Sequence, residues 1–251
     1  MRITLLLALG LALSLMNCSK ELKVQVLEKH PDGTKKKEVH YYSQASNPRR
    51  VVYYFPDGKI QSDQYMTQGK PDSTTTIYFP NGQKAKEVTY FYDKKLKKEF
   101  KHGDEASWYE NGKIKSKASY DKGRPTGTAV TYYEDGSKAS EVTYKDGQKN
   151  GEEHHWYPDG KDKKVIQYVA GDITGVVTSW YANGNKEKEE TYRDNALDGL
   201  YITYHENGKK ESEFTYKNGK VEGEKKEWYE NGRLAAKAKY ENGELIEGTR
   251  Y

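Results

Sequence analysis

His154-His155 is the only pair of adjacent histidines in the sequence, and Asp159-Gly160-Lys161-Asp162 is its nearest approach to a calcium loop. Neither has the spacing of a metal site. Adjacent strand residues point to opposite faces, so two neighbouring histidines are poorly placed to chelate one ion. A calcium loop needs several oxygen ligands at alternate positions and a closing acid, whereas lysines flank this Asp-Gly turn. No nucleophile–base–acid set stands out. Gly123-Arg124-Pro125-Thr126-Gly127 belongs to a repeated turn rather than to a phosphate cradle. An enzyme is therefore not expected, nor a metal, a cofactor or a small-molecule ligand. One side chain suited to surface contact does recur: Tyr109, Tyr133, Tyr157, Tyr181 and Tyr229 occupy one repeating position among turn and charged residues. Tyrosine buries much area at little entropy cost, so this row is the candidate contact line for a partner.

Cys18 is the only thiol, and its position suggests a chemistry of its own. Arg2 gives a short positive start, Ile3 to Met16 form an apolar run, and Asn17 and Cys18 follow. Residues 1–17 read as a secretory signal whose apolar run is too short for a comfortable membrane span. Leu15-Met16-Asn17-Cys18 resembles a bacterial lipobox, in which the cysteine is lipidated and becomes the first mature residue. The expected location is the bacterial cell envelope, with the chain anchored to a membrane through Cys18. A lone cysteine makes no internal disulfide, so stability must come from strand pairing and packing.

The element that positions the tyrosines is a 24-residue unit. Gly112, Gly136, Gly160, Gly184, Gly208 and Gly232 are spaced at that period, and Gly33, Gly58 and Gly82 head weaker copies. A fixed period of this length marks a stacked array of one supersecondary unit. Asn or Asp precedes each glycine, and Pro31, Pro56, Pro80 and Pro158 stand one place earlier. Proline fixes φ near −65° for a type I turn, and glycine accepts the positive φ that follows. The expected element is a three-residue hairpin loop with a glycine bulge. A tyrosine recurs eight residues after the glycine (Tyr120, Tyr144, Tyr168, Tyr192, Tyr216 and Tyr240), and a second turn follows at Gly123, Gly147, Gly171, Gly219 and Gly243, with Asn195 in one unit.

Strand parity predicts two faces. It groups Trp108, Ile114, Ala118 and Tyr120 on a packed side, with Trp228, Leu234, Ala236, Ala238 and Tyr240 equivalent. It leaves Tyr109, Lys113, Lys115, Lys117 and Ser119 on a polar side, and it puts Lys188 beside Trp180. The fold class expected is all-β: an elongated, single-layer antiparallel meander of hairpins. Composition agrees. Hydrophobic residues make up 34% of the chain and charged residues 32%, too little apolar material for a thick core. Without Arg2 of the leader the balance is 41 Lys+Arg against 38 Asp+Glu, or +3, with both signs interspersed. No nucleic-acid partner is expected from that pattern, Lys94-Lys95 with Lys97-Lys98 being the one basic cluster. Three regions follow: a leader at 1–17, an anchor and degenerate first repeat at 18–49 with a loop at Ser43 to Pro48, and the repeat array at 50–251. An insertion near 91–102 lengthens the step from Gly82 to Gly112 to 30 residues.

Tyr-Tyr-Glu-Asp-Gly at 132–136, followed by Tyr144, Gly147 and Gly151, resembles the MORN-repeat variant of bacterial proteins. The resemblance covers roughly residues 50–250. It implies the hairpin fold, and the YwqK-type group within that family is described as the antitoxin of a toxin–antitoxin pair. The function expected is a membrane-anchored protein–protein interaction or scaffolding module. The alternatives are an antitoxin-like or immunity-like protein, with a toxin as its partner, and a module that binds envelope glycan or lipid.

Overall fold

The structure is a computed structural model that describes residues 22–42, 47–67 and 69–251. The leader, Cys18 and residues 43–46 of the Ser43–Pro48 loop lie outside the described residues. Among those described, every regular element is a β-strand, from Leu22–Lys29 to Glu244–Arg250. Each strand pairs antiparallel with the next in sequence, so the sheet is one open layer of consecutive hairpins. One strand is split at Thr174 into Asp172–Ile173 and Gly175–Trp180.

Two kinds of turn alternate along the edges. In the first, the amide of Gly112 donates to the carbonyl of Tyr109 at 2.9 Å and the amide of Tyr109 to the carbonyl of Lys113 at 2.9 Å. Gly112 sits at φ 83°, as the expected glycine bulge requires. In the second, both central residues have positive φ: Lys122 at 45° with Gly123 at 85°, and Asp194 at 50° with Asn195 at 67°. That is the type I′ geometry whose twist matches paired strands. The insertion at 91–102 continues one such hairpin. Phe91 faces Phe100, Tyr92 faces Glu99 and Asp93 faces Lys98.

The faces differ from those predicted. Trp108 does pair with Ile114, but Ser107 then pairs with Ser116, which leaves Lys115 as an extra residue. The same slip recurs at Ala139, Lys163, Glu187, Glu211 and Ala235. One extra residue reverses the alternation of everything beyond it. Trp108 and Ile114 therefore share a face with Lys117 and Ser119, while Ala118 and Tyr120 lie on the other. Lys188 pairs with Ser179, on the side opposite Trp180.

The core is consequently a single file of cross-strand partners. On one face it runs Val39–Val51–Gln64–Thr75–Val88–Glu105, then Ala129–Val142–Glu153–Ile166, then Val177–Glu190–Tyr201–Phe214. Val39, Val51, Val88, Val142, Ile166 and Val177 in this file are buried. The recurrent tyrosines line its flank, each opposite a glycine of the preceding strand: Tyr120 on Gly103, Tyr144 on Gly127, Tyr168 on Gly151, Tyr216 on Gly199. Such pairs lay an aromatic ring over a backbone that has no side chain of its own to pack. Among the described residues, Val52 and Ile202 are the buried apolar residues of the opposite face.

Candidate binding surface

The candidate tyrosines stand at the glycine-turn edge, and their hydroxyls reach into the next repeat. The Tyr109 hydroxyl donates to the carbonyl of Tyr132, Tyr133 to Trp156, Tyr157 to Trp180 and Tyr181 to Tyr204, each at 2.7 Å. Tyr229 makes the same bond to Tyr251 at 3.2 Å, and His205 Nε2 replaces it in one unit, 2.9 Å from the carbonyl of Trp228. Tyr109, Tyr133, Tyr157 and Tyr181 are half-buried, whereas Tyr229 is exposed. Burial, with the Glu187 carboxylate next in effect, pushes the Tyr157 and Tyr181 hydroxyls up, so both stay protonated as donors. The extra residue of the bulge covers some of these rings: Lys115 Nζ lies 5.4 Å from the Tyr109 ring centre and Lys163 Nζ 5.5 Å from that of Tyr157.

Turns stack on turns beside this row. Asn111 Nδ2 donates to the carbonyl of Glu134, Asn183 to that of Glu206 and Asn207 to that of Glu230. Lys113 Nζ and Lys209 Nζ donate to the carbonyls of Asp135 and Asn231. The glycine turns Gly58, Gly82, Gly112, Gly136, Gly160, Gly184, Gly208 and Gly232 all have positive φ, as their structural role demands. Residues that look like interchangeable surface polar groups in the sequence are thus inter-repeat ties.

A second file of aromatics, Trp108, Tyr132, Trp156, Trp180, Tyr204 and Trp228, lies on the face opposite the main core and is half-buried. Charged side chains interleave with it. Lys84 Nζ is 5.6 Å from the Trp108 ring and Lys138 Nζ 5.4 Å from that of Trp156. The Tyr204 hydroxyl donates to Glu189 at 2.5 Å, and burial followed by that carboxylate raises its pKa to about 12.

Three carboxylates sit inside the main file, each beside a lysine. Glu153 contacts Lys149 at 2.6 Å, Glu105 contacts Lys101 at 2.5 Å and Lys86 at 2.8 Å, and Glu190 contacts Lys188 at 3.2 Å. Burial alone would push Glu153 up, but the Lys149 hydrogen bond and charge outweigh it and hold the carboxyl below its ordinary value. Among the described residues no group of three or more His, Cys, Asp and Glu is arranged to hold a metal ion. Asp159 accepts the Lys161 amide at 3.1 Å and pairs with its ammonium at 3.0 Å, which closes a turn. His154 contacts Glu152, while His155 contacts Glu153 on the other face.

The MORN repeat variant model matches residues 71–92, 101–122, 125–146, 173–194, 197–218 and 221–242, together more than half of the chain. The chain belongs to the MORN repeat variant family. Five of the six matches end at a left-handed turn position (Lys122, Asp146, Asp194, Asn218 and Asn242), whereas the first ends at Tyr92 within the insertion hairpin, whose tip is formed by the unmatched residues 93–100. No curated protein matches the chain significantly. Among solved structures, TcdB2-TccC3-TEV is 10% identical, with 88% of this chain and 15% of that one covered and a TM-score of 0.23. TcdB2-TccC3 is 11% identical over 85% and 15%, with a TM-score of 0.22. This MORN-variant chain thus spans about one-seventh of their length.

Proposed function

We propose that this MORN-variant protein is a membrane-anchored binding scaffold of the bacterial envelope. Its partner is another protein, and the contact line is the glycine-turn edge. The observation that supports this reading is the single open layer: a sheet one residue deep exposes both faces and a long regular edge, the geometry of proteins that bind over several repeats. Along that edge the rings of Tyr109, Tyr133, Tyr157 and Tyr181 recur at each second strand, roughly 10 Å apart at ordinary strand spacing, and Tyr229 follows beyond the unit that carries His205. Anchorage through Cys18 would hold the array against a membrane. A glycan is the second reading, because the half-buried Trp108–Trp228 file alternates with carboxylates and ammonium groups able to bond sugar hydroxyls.

A crosslinking pull-down from native membranes tests the proposal. Wild-type chain and a triple Tyr133→Ser/Tyr157→Ser/Tyr181→Ser variant are compared, together with the milder Tyr→Phe series. Phenylalanine keeps the ring and loses the inter-repeat bond, which should cost about 1 kcal/mol per site. The reading expects partner capture to survive Tyr→Phe and fall at least tenfold with Tyr→Ser in material that remains folded by circular dichroism. Equal capture by a folded triple serine variant would remove this row as the contact line. In the same cells a fatty-acid label should mark the wild type and not Cys18→Ser; equal labelling would remove the anchor.

A further inference from the structure

The hairpin built from Lys84–Asp93 and Lys98–Trp108 reaches further than the ordinary unit. Beyond the Tyr90–Lys101 pair it continues for three pairs, to Asp93–Lys98. The ordinary unit continues for one pair past Tyr120–Pro125. Two further residues per strand carry its tip about 7 Å past the neighbouring turns. At the apex stands Leu96, 63% exposed, the most exposed of the large hydrophobic residues described. Lys94, Lys95, Lys97 and Lys98 surround it, and all four are exposed. Asp93, the nearest acid, is engaged inward: its Oδ1 accepts the amides of Lys95 at 2.8 Å and Leu96 at 2.9 Å. Glu99 remains as the one exposed acid of the tip. The tip falls in the gap between two matched stretches, 71–92 and 101–122, so it is a feature of this chain and not of the repeat.

We propose that this finger docks on an anionic lipid bilayer, with the Leu96 side chain entering the headgroup–acyl boundary and the four lysines seated among the lipid phosphates. Lysine stems cover apolar surface while their ammonium groups stay at the polar level, so four lysines around one leucine match the layering of an interface. Each lysine near an anionic surface strengthens binding about fivefold. A nucleic acid fits less well. Its phosphates would satisfy the lysines but give Leu96 nothing to enter, and base stacking needs accessible rings. The finger's rings already have neighbours: Lys98 Nζ is 5.4 Å from the Phe100 ring centre, Lys70 Nζ 5.5 Å from that of Tyr92, and Phe91 lies 5.8 Å from His102.

The proposal is independent of Cys18, whose lipidation is read by fatty-acid labelling; the finger is read by preference for anionic lipid. Full-length chain is sedimented with vesicles of phosphatidylcholine alone and with vesicles that also contain phosphatidylglycerol. Wild type is expected to favour the anionic vesicles strongly, and salt should erase the preference. Lys94→Gln/Lys95→Gln should lower partition onto anionic vesicles roughly 25-fold, at about fivefold per lysine. Leu96→Ser should lower it about tenfold. Unchanged thermal midpoints establish that the variants stay folded. Equal binding of wild type to both vesicle types, or an anionic preference that survives the substitutions, would overturn the proposal. Retention on a uridine homopolymer with no vesicle preference would overturn it in favour of nucleic acid.

Discussion

Val177→Asp is expected to destabilise the protein by about 4 kcal/mol at neutral pH, which is large for one substitution. Val177 is 2% exposed and faces Glu190, itself 7% exposed and held by Lys188. The new carboxylate would stand across the strand from an existing one, with a single ammonium group between them. Like charges directly opposite are unfavourable, and here little water reaches them. The pH dependence follows in sign. Repulsion and burial raise the folded-state pKa of the introduced carboxyl above its unfolded value. The penalty is therefore present above that folded pKa and is relieved as pH falls through it. Urea midpoints at neutral pH and near pH 4 should show the gap to wild type narrowing with acid. Val176→Asp is the control: Val176 is 50% exposed on the opposite face, so its substitution should change stability by less than about 1 kcal/mol. Equal losses at the two positions would mean that the single-file core is wrongly placed.

Gly199→Ala should cost about 3 kcal/mol. Gly199 adopts φ 137°, which side-chain-bearing residues rarely take, and a Cβ there would lie 2.7 Å from Thr191 Cγ2 and 2.8 Å from Thr191 Cβ. Backbone strain and overpacking then add, each typically 1–3 kcal/mol, roughly. The clash cannot be relieved by swinging a flexible tip, because the second atom is the β-carbon of a strand residue. Gly151 occupies the equivalent place with φ 99° and nothing within 4 Å, so Gly151→Ala should pay the backbone term alone, about 1–2 kcal/mol. A difference of less than about 0.5 kcal/mol between the two in urea unfolding would show that the Thr191 contact does not decide the cost.

Much of this architecture is legible in the sequence because the period places chemically constrained residues at fixed offsets. Pro-Asp-Gly and Glu-Asn-Gly specify the bulged turn, and Asn195 substitutes for glycine where φ reaches 67°. Strand parity does not give the faces beyond the turn, for a definite reason. The inserted bulge residue is Lys115, Ala139, Lys163, Glu187, Glu211 or Ala235, and no side-chain type marks it. The interruption is a backbone event, and parity counting passes over it. The candidate tyrosines are legible by position, but their hydroxyl bonds are not, since every acceptor is a main-chain carbonyl. Glycine also recurs in the sequence at Gly127, Gly151, Gly175, Gly199 and Gly223, with nothing there to show its cause. Each faces a tyrosine of the following strand, and that pairing appears only once the register is known.

The binding proposal depends on a sheet that stays open and one layer thick, and small-angle X-ray scattering tests that most directly. The nineteen strand positions among the described residues, with the strand split at Thr174 taken as one, give a ribbon about 86 Å long and about 30 Å wide at ordinary strand geometry. A body of those dimensions has a radius of gyration near 26 Å, roughly, by the same geometry. A compact globule of this chain length would give about 18 Å. A monomer with the larger radius and a maximum dimension near 90 Å is the predicted result; a radius near 18 Å with a spherical distance distribution would contradict the open array.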